Sequence, residues 1–300
     1  MGVHWFRFRF QRAIRRVFAA NEGVVSSPQR LFQAIVFGLL FSPAASAQGG
    51  PPFLTDDPET PGNRQWEINI GLIGERTPSE GSYATPNIDL NYGLGDRLQL
   101  KFELPLNIYQ RRGNPASVAA GIGNSLVGVK WRFYQHGDAA QSGKLSQGKI
   151  GFAMSVYPQL VLNNPTRSVT REIAEPGPQF LLPVEANGHL GPIQIVGEVG
   201  HWFTNKHHRN SPQDSRIWGL IVGHEFANKT ELYMELHDEL ETDGVEHRST
   251  IGIGGRHPLN RNAKVLLLGM AGRSFRPTTY TNGQPNWVAY LGLQFLLGPD

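Results

Sequence analysis

The chain has 300 residues, of which 39% are hydrophobic and 18% charged, and it contains 35 glycines, 21 prolines and no cysteine. The absence of cysteine excludes disulfides, cysteine-ligated metal sites and a cysteine nucleophile. The net charge is +3, but the first 47 residues hold six of the 28 basic residues and one of the 25 acidic ones, so the rest is slightly acidic. The composition therefore argues against a nucleic-acid partner, which requires a basic folded domain.

Residues 1–47 have the features of a secretory signal peptide in the expected order. Arginines are concentrated in 1–30, an apolar run covers 31–41, and the small residues Ala45 and Ala47 form an A-x-A cleavage site. The apolar run is eleven residues long, whereas a helical membrane span needs about twenty. We predict cleavage after Ala47 and export, followed by a Pro-rich periplasmic N-terminal segment at 48–63.

The remaining chain alternates between apolar and polar residues with a period of two. Every even-numbered residue from 98 to 108 is apolar, while the odd-numbered ones include Gln99, Lys101 and Glu103. Alternate residues of a strand point to opposite faces, so this pattern predicts two-faced strands. We predict twelve of them, at 64–75, 83–93, 97–109, 121–134, 148–162, 176–187, 190–203, 214–226, 229–241, 245–257, 262–274 and 285–297.

The lengths of these strands favour a membrane barrel. Most run ten to fourteen residues, whereas strands of soluble sheets average about five or six and tilted membrane strands need about nine to eleven. Short connections, at 93–96, 187–189, 227–229 and 259–261, alternate with longer ones, at 110–120, 163–175, 204–213 and 275–284.

This arrangement is typical of bacterial outer-membrane barrels, which have short periplasmic turns and longer outer loops. We predict an all-β fold at 64–297, namely a transmembrane antiparallel β-barrel of about twelve strands with both termini in the periplasm. The alternative is a soluble β-sandwich, in which the same apolar faces would pack against each other.

Tryptophans lie near both ends of the predicted strands. Trp66 and Trp131 are near the periplasmic ends, and Trp202, Trp218 and Trp287 are near the outer ends. Rings at both water–lipid boundaries are expected of such barrels.

The polar faces of the strands should line the interior of the barrel. Because both signs of charge occur among them, we predict no strong selectivity for anions or cations. The predicted pore-lining residues are Glu67, Asp89, Lys101, Glu103, Lys130, Arg132, Glu198, Glu231, Glu235, Glu239, Arg248 and Arg256.

Side chains fill the interior of eight-stranded barrels, whereas barrels of about sixteen strands leave a water-filled channel. A barrel of twelve strands lies between these cases, so its channel should be narrow. We predict a channel or transporter for small molecules, hydrophobic or aromatic ones included, with residues 48–63 as a plug. The predicted partners are outer-membrane lipid, the barrel-assembly machinery and a small-molecule solute, and no cofactor is predicted. The alternative is a structural or adhesion barrel without transport.

An enzyme of the lipid-facing phospholipase type is a further alternative, because His247 and Ser249 share one face of a strand. Such a site needs an asparagine to orient the histidine. Asn260 and Asn262 are twelve or more residues away along the chain, which at about 3.3 Å per residue is beyond hydrogen-bond reach. We predict that the chain is not an enzyme.

Several short motifs resemble those of a family of outer-membrane barrels named for the meta-pathway of phenol degradation, whose members are described as transporters. They are 51–59 (PPFLTDDPE), 66–68 (WEI), 93–100 (GLGDRLQL), 103–106 (ELPL), 121–124 (GIGN) and 128–133 (GVKWRF). At position 124 this chain has Asn where the family often has Asp. The resemblance implies an outer-membrane barrel. The C-terminal strand, with Gly292, Phe295 and Leu297, is also similar to a barrel-assembly signal.

Overall fold

The computed structural model describes residues 50–77, 80–112, 116–137, 151–164, 167–171, 173–190, 192–204, 213–242, 247–276 and 287–299. The predicted signal peptide, residues 1–47, lies outside these ranges. Within them, no helix is long and apolar enough to cross a membrane.

Fourteen strand segments follow one another along the described chain. They are β1 (Trp66–Arg76), β2 (Glu80–Leu94), β3 (Leu98–Arg111), β4 (Ser117–Ile122), β5 (Ser125–His136), β6 (Gly151–Val156), β7 (Gln159–Leu162), β8 (Gln179–Leu190), β9 (Ile193–Thr204), β10 (Ser215–Glu225), β11 (Glu231–Glu241), β12 (His247–Pro258), β13 (Val265–Arg276) and β14 (Trp287–Leu297).

These segments form one closed antiparallel sheet of twelve wall strands. β4 and β5 both pair with β3 and make one wall strand, which is interrupted at Gly123 and Asn124. β6 and β7 both pair with β5 and β8 and make another, interrupted at Tyr157 and Pro158. The pairing of β1 with β14 closes the ring. The predicted all-β barrel of about twelve strands is therefore confirmed.

The outward face of the barrel is apolar and exposed. Ile70, Met234 and Leu291 are 43%, 54% and 60% exposed, whereas Lys130 and Glu235 on the inward face are 1% and 0% exposed. A sandwich would pack the apolar faces against each other, but a closed sheet turns them away from its interior. The sandwich alternative is therefore wrong, and the distribution is the one that a surrounding hydrocarbon phase requires.

Three prolines that interrupt the predicted strands keep their carbonyl groups in cross-strand hydrogen bonds. Pro105 accepts from the Gly123 amide at 2.9 Å, Pro158 from Val129 at 3.1 Å, and Pro183 from Tyr157 at 3.1 Å. Proline lacks the N–H donor but keeps its carbonyl acceptor, so these positions still hydrogen-bond to a neighbouring strand.

Some predicted details are wrong or are resolved by the structure. Residues 187–189 are not a turn, because β8 continues to Leu190 and β9 begins at Ile193. β13 turns Leu266, Leu268 and Met270 inward, where they are 8%, 0% and 5% exposed.

Both chain ends of the barrel wall lie at the same end of the barrel, because Trp66 pairs with Leu297. We call this the near end. The opposite end, where β1 finishes at Arg76 and β14 starts at Trp287, is called the far end. The periplasmic location of the near end stays a prediction.

Candidate pore and the segment inside it

The twelve residues predicted to line the pore all occupy inward-facing positions of their strands. Among them, Glu67, Asp89, Lys130, Glu198 and Arg256 are 6%, 1%, 1%, 5% and 3% exposed. The other seven, on the same faces, are Lys101, Glu103, Arg132, Glu231, Glu235, Glu239 and Arg248. Their role in conduction stays a prediction.

A polar network covers the inner wall formed by β1, β2 and β3. Lys101 Nζ lies 3.2 Å from an Asp89 oxygen and 3.4 Å from a Glu103 oxygen. Asn69 donates a hydrogen bond to Asp89 at 3.2 Å, and Asn87 donates one to Glu103 at 2.9 Å. The cation and the two amides satisfy carboxylates that would otherwise be costly to bury.

Residues 50–63, here called the inner segment, lie inside the barrel. Thr55, Asp57, Glu59 and Thr60 are 0%, 1%, 2% and 2% exposed. The segment forms a compact turn, in which the Gly50 amide donates to the Thr55 carbonyl at 3.0 Å. The inner segment is therefore buried although it is polar and pairs with no strand.

Two wall carboxylates accept hydrogen bonds from the backbone of the inner segment. The Thr55 amide donates to Glu235 Oε1 at 2.7 Å, and the Asp56 amide donates to Glu198 Oε2 at 2.9 Å. Each bond gives a hydrogen-bond partner to a buried amide and to a buried carboxyl oxygen, which offsets the cost of burying both groups. The two glutamates, on β11 and β9, therefore hold the segment by its main chain.

Lys130 on β5 is the main cation that contacts the inner segment. Its ammonium lies 2.9 Å from Asp56 Oδ1 and 3.4 Å from Glu185 Oε2, and it also donates to the Asp57 carbonyl. It lies 4.6 Å from the centroid of the Tyr157 ring. One buried lysine thus joins the segment to the wall and partly compensates two carboxylates.

Further contacts bind the rest of the segment to other parts of the wall. An Arg256 guanidinium nitrogen donates to the Pro51 carbonyl at 3.2 Å. Asn187 donates to Glu59 at 3.2 Å, and the Thr60 hydroxyl donates to the Asp96 carbonyl at 2.9 Å. The inner segment is therefore hydrogen-bonded to β12, to β8 and to the turn after β2.

A glycine on β10 receives the side chain of Thr55. A Cβ atom added to Gly219 would lie 2.0 Å from Thr55 Oγ1, 2.7 Å from Cγ2 and 2.8 Å from Cβ. No side chain other than hydrogen leaves room for Thr55 at this distance. Nearby, Phe53 packs edge-on against Tyr233 with 5.4 Å between the ring centroids.

Burial and neighbouring charges shift the acids of the inner segment in different directions. Burial raises the pKa of Asp57 to about 7, against the opposing effect of Lys130. Burial and the nearby Asp57 raise the pKa of Glu59 well above its ordinary value. At Asp56 burial opposes ionisation, but Lys130 and Lys101 outweigh it and lower the pKa. Asp56 is therefore the ionised partner of Lys130.

Two sizeable cavities lie among the described residues of the interior. The larger, of about 880 Å³, lies toward the far end and has Arg111, Glu241 and Arg248 in its lining. The smaller, of about 300 Å³, adjoins the inner segment. Trp202 and Glu239 line both cavities, so the two adjoin at these side chains. The prediction that Trp202 contacts lipid is wrong, because the residue faces inward on β9.

The smaller cavity is largely apolar, which sequence reasoning missed. Its apolar lining includes Phe53, Leu181, Ile217, Met270, Val288 and Tyr290. Apolar residues on these strands were expected to face lipid, but several of them face inward. A signal was present in the last strand, where Val288 and Tyr290 alternate with an unbroken apolar face.

The described residues provide no group of three or more His, Cys, Asp or Glu side chains that could hold a metal ion. His247 and Ser249 share the outward face of β12. Both bond to Asp238 on the next strand, His247 Nε2 at 2.9 Å and Ser249 through its hydroxyl. Asn260 lies in the turn after β12 and accepts from the Lys264 amide at 2.9 Å.

Solved structures of outer-membrane barrels share this fold. The COG4313 outer membrane channel from Pseudomonas putida F1 aligns with a TM-score of 0.61 at 16% identity, over 83% of this chain and 100% of that one. The NanC porin aligns with a TM-score of 0.53 at 7% identity, over 77% of this chain and 100% of that one. No protein-family model and no curated protein matches the chain.

At these identities the likeness shows the fold alone, a closed barrel of the kind found in outer-membrane channels. The resemblance to the family named for the meta-pathway of phenol degradation stays a prediction.

Proposed function

We propose that the chain is a bacterial outer-membrane channel for small molecules, hydrophobic or aromatic ones included, and that the inner segment occludes it at rest. In this proposal residues 1–47 direct export and are removed, the barrel-assembly machinery inserts the barrel, and both termini lie in the periplasm. The chain acts without a cofactor and performs no chemical reaction.

The observation that carries the proposal is the apolar cavity inside a barrel whose outer surface is also apolar. Small-molecule sites are mostly apolar clefts of about 300–1,000 Å³ with a few polar groups. The inner cavity has about 300 Å³ with Lys101, Glu198 and His237 at its polar side. It adjoins the larger cavity, and together they form a path from the far end to the inner segment.

The inner segment supports occlusion at rest. Its Thr55 and Asp56 amides donate hydrogen bonds to Glu235 and Glu198, and Lys130 binds the Asp56 carboxylate. These contacts are non-covalent and involve residues of the segment, so the segment can leave while the barrel stays closed. Transport then requires displacement of the segment, or passage beside it.

The experiment is ion conductance in planar bilayers, with wild type compared with a variant lacking residues 50–60. The deletion should raise the single-channel conductance. The deletion leaves the apolar wall residues Leu181, Ile217 and Met270 in place. Benzyl alcohol should therefore reduce the current of the deletion variant, and glucose at the same concentration should not. Met270→Lys should weaken the block by benzyl alcohol, because it places a charge in the apolar cavity.

An unchanged conductance after the deletion would contradict occlusion by the segment. Equal block by both solutes would contradict an apolar preference. A barrel that conducts in neither form would favour the structural alternative over a channel. Phospholipid hydrolysis that is abolished by Ser249→Ala would overturn the non-enzymatic assignment.

A further inference from the structure

In the described part of the barrel wall, the charged side chains of the outward face lie toward the far end. Among the strand residues whose side chains the structure describes, the outward-facing arginines and lysines are Arg76, Arg216 and Arg273. Arg76 is the last residue of β1, and Arg216 is the second residue of β10. Arg273 pairs with the first residue of β14. A charge at the middle of a bilayer costs about 2–4 kcal/mol and much less at its edge, so this placement marks an interface.

Two of these arginines flank one exposed tryptophan. Trp287 pairs in register with Arg76 on one side and with Arg273 on the other. The Arg273 guanidinium lies 4.9 Å from the centroid of the Trp287 ring, and Trp287 is 55% exposed. Adjacent strands are about 4.8 Å apart, so the two arginines are separated by roughly 10 Å across β14. Both can reach one ligand headgroup.

The acidic residue on this face does not cancel their charge. Asp238 is the outward-facing carboxylate on the described strands, and it is 9% exposed. It accepts hydrogen bonds from Ser249 and from His247, the latter at 2.9 Å. Its oxygens are directed at these two partners, so the exposed charge of the rim is positive.

We propose that Arg76 and Arg273, together with Trp287, form a binding site for the phosphate groups of an anionic lipid at the far-end rim. Guanidinium groups bind phosphate oxygens in a bidentate manner, and an indole at the boundary holds an arginine flat beside it. The site faces outward and away from both cavities. The inference rests on the membrane placement in the proposed function but not on transport.

The test is native mass spectrometry of the purified full-length mature barrel in nonionic detergent. The probes are diphosphorylated lipid A and the same lipid with its phosphates removed. The variant Arg76→Gln/Arg273→Gln should bind the phosphorylated lipid about tenfold more weakly, equivalent to ~1.4 kcal/mol. The matched control Arg97→Gln/Arg261→Gln removes the same charge from exposed turns at the near end and should bind as wild type does.

Closure of the barrel in each variant is checked by the difference in gel migration before and after boiling. If the rim variant does not close, Trp287→Leu keeps both arginines and should still weaken binding of the phosphorylated lipid. Equal binding of both lipids by wild type, or an equal loss in the near-end control, would overturn the proposal. None of these readouts involves conductance, so a failure here leaves the channel proposal standing.

Discussion

The close contact between Gly219 and Thr55 gives the sharpest test of how the inner segment is held in the barrel, because one added methyl group should displace Thr55. In the structure a Cβ at Gly219 would lie within 2.8 Å of three side-chain atoms of Thr55, the nearest at 2.0 Å, whereas an ordinary contact is 3.4–4 Å. Rotation of the Thr55 side chain cannot relieve the overlap, because its own Cβ is one of the three atoms. Gly219→Ala therefore requires a shift of the segment by roughly 1.4 Å or more.

The cost of that shift can be worked out from the adjacent hydrogen bond. The Thr55 amide is 2.7 Å from Glu235 Oε1, and a shift of this size would break the bond. Loss of a hydrogen bond to a charged group costs about 1.5–3 kcal/mol, which lowers the ratio of docked to released segment by about ten- to 150-fold. We expect Gly219→Ala to approach the conductance of the deletion variant.

The assay is single-channel conductance, with proteolytic cleavage of the inner segment as a second readout. The control is Gly197→Ala, because a Cβ at Gly197 meets no atom within 4 Å. The double variant Gly219→Ala/Thr55→Gly removes the overlapping atoms and should restore the low conductance. If Gly219→Ala has the same conductance as wild type, the contact between Gly219 and Thr55 does not hold the inner segment in place.

Two further predictions concern the charges that hold the inner segment. The pKa of docked Asp57 is about 7, raised from 3.8, so its favourable contribution to docking is complete below about pH 3.8 and is lost as the pH rises through 7. Conductance of wild type should therefore rise between about pH 4 and 7, and Asp57→Asn should flatten that rise; a fall over this range would contradict the assignment. Lys130→Gln should release the segment and lower the unfolding temperature, because it leaves Asp56 and Glu185 without their cation, at a cost of about 3–5 kcal/mol. Equal protease resistance of residues 50–60 in Lys130→Gln and wild type would argue against this role.

The sequence by itself determined the class of fold and the two faces of the wall. Alternation with a period of two is set by strand geometry, so the inward positions of Lys101, Lys130 and Glu235 could be read from residue spacing. The strand count also followed, because each two-faced segment was bounded by polar or glycine-rich turns. The misplaced turn at 187–189 shows the limit: Gly188 is compatible with both a turn and a strand, and the pairing of β8 with β9 decided between them.

Only the tertiary structure decided what fills the interior. The inner segment contacts β5, β8, β9, β11 and β12, and none of these contacts is visible in local sequence. The apolar cavity likewise brings Leu181, Ile217 and Met270 together from strands far apart in the chain. Periodicity reports which way a side chain points relative to its own strand, whereas closure of the barrel sets which inward side chains meet. The pore and its occupant are therefore properties of the closed ring.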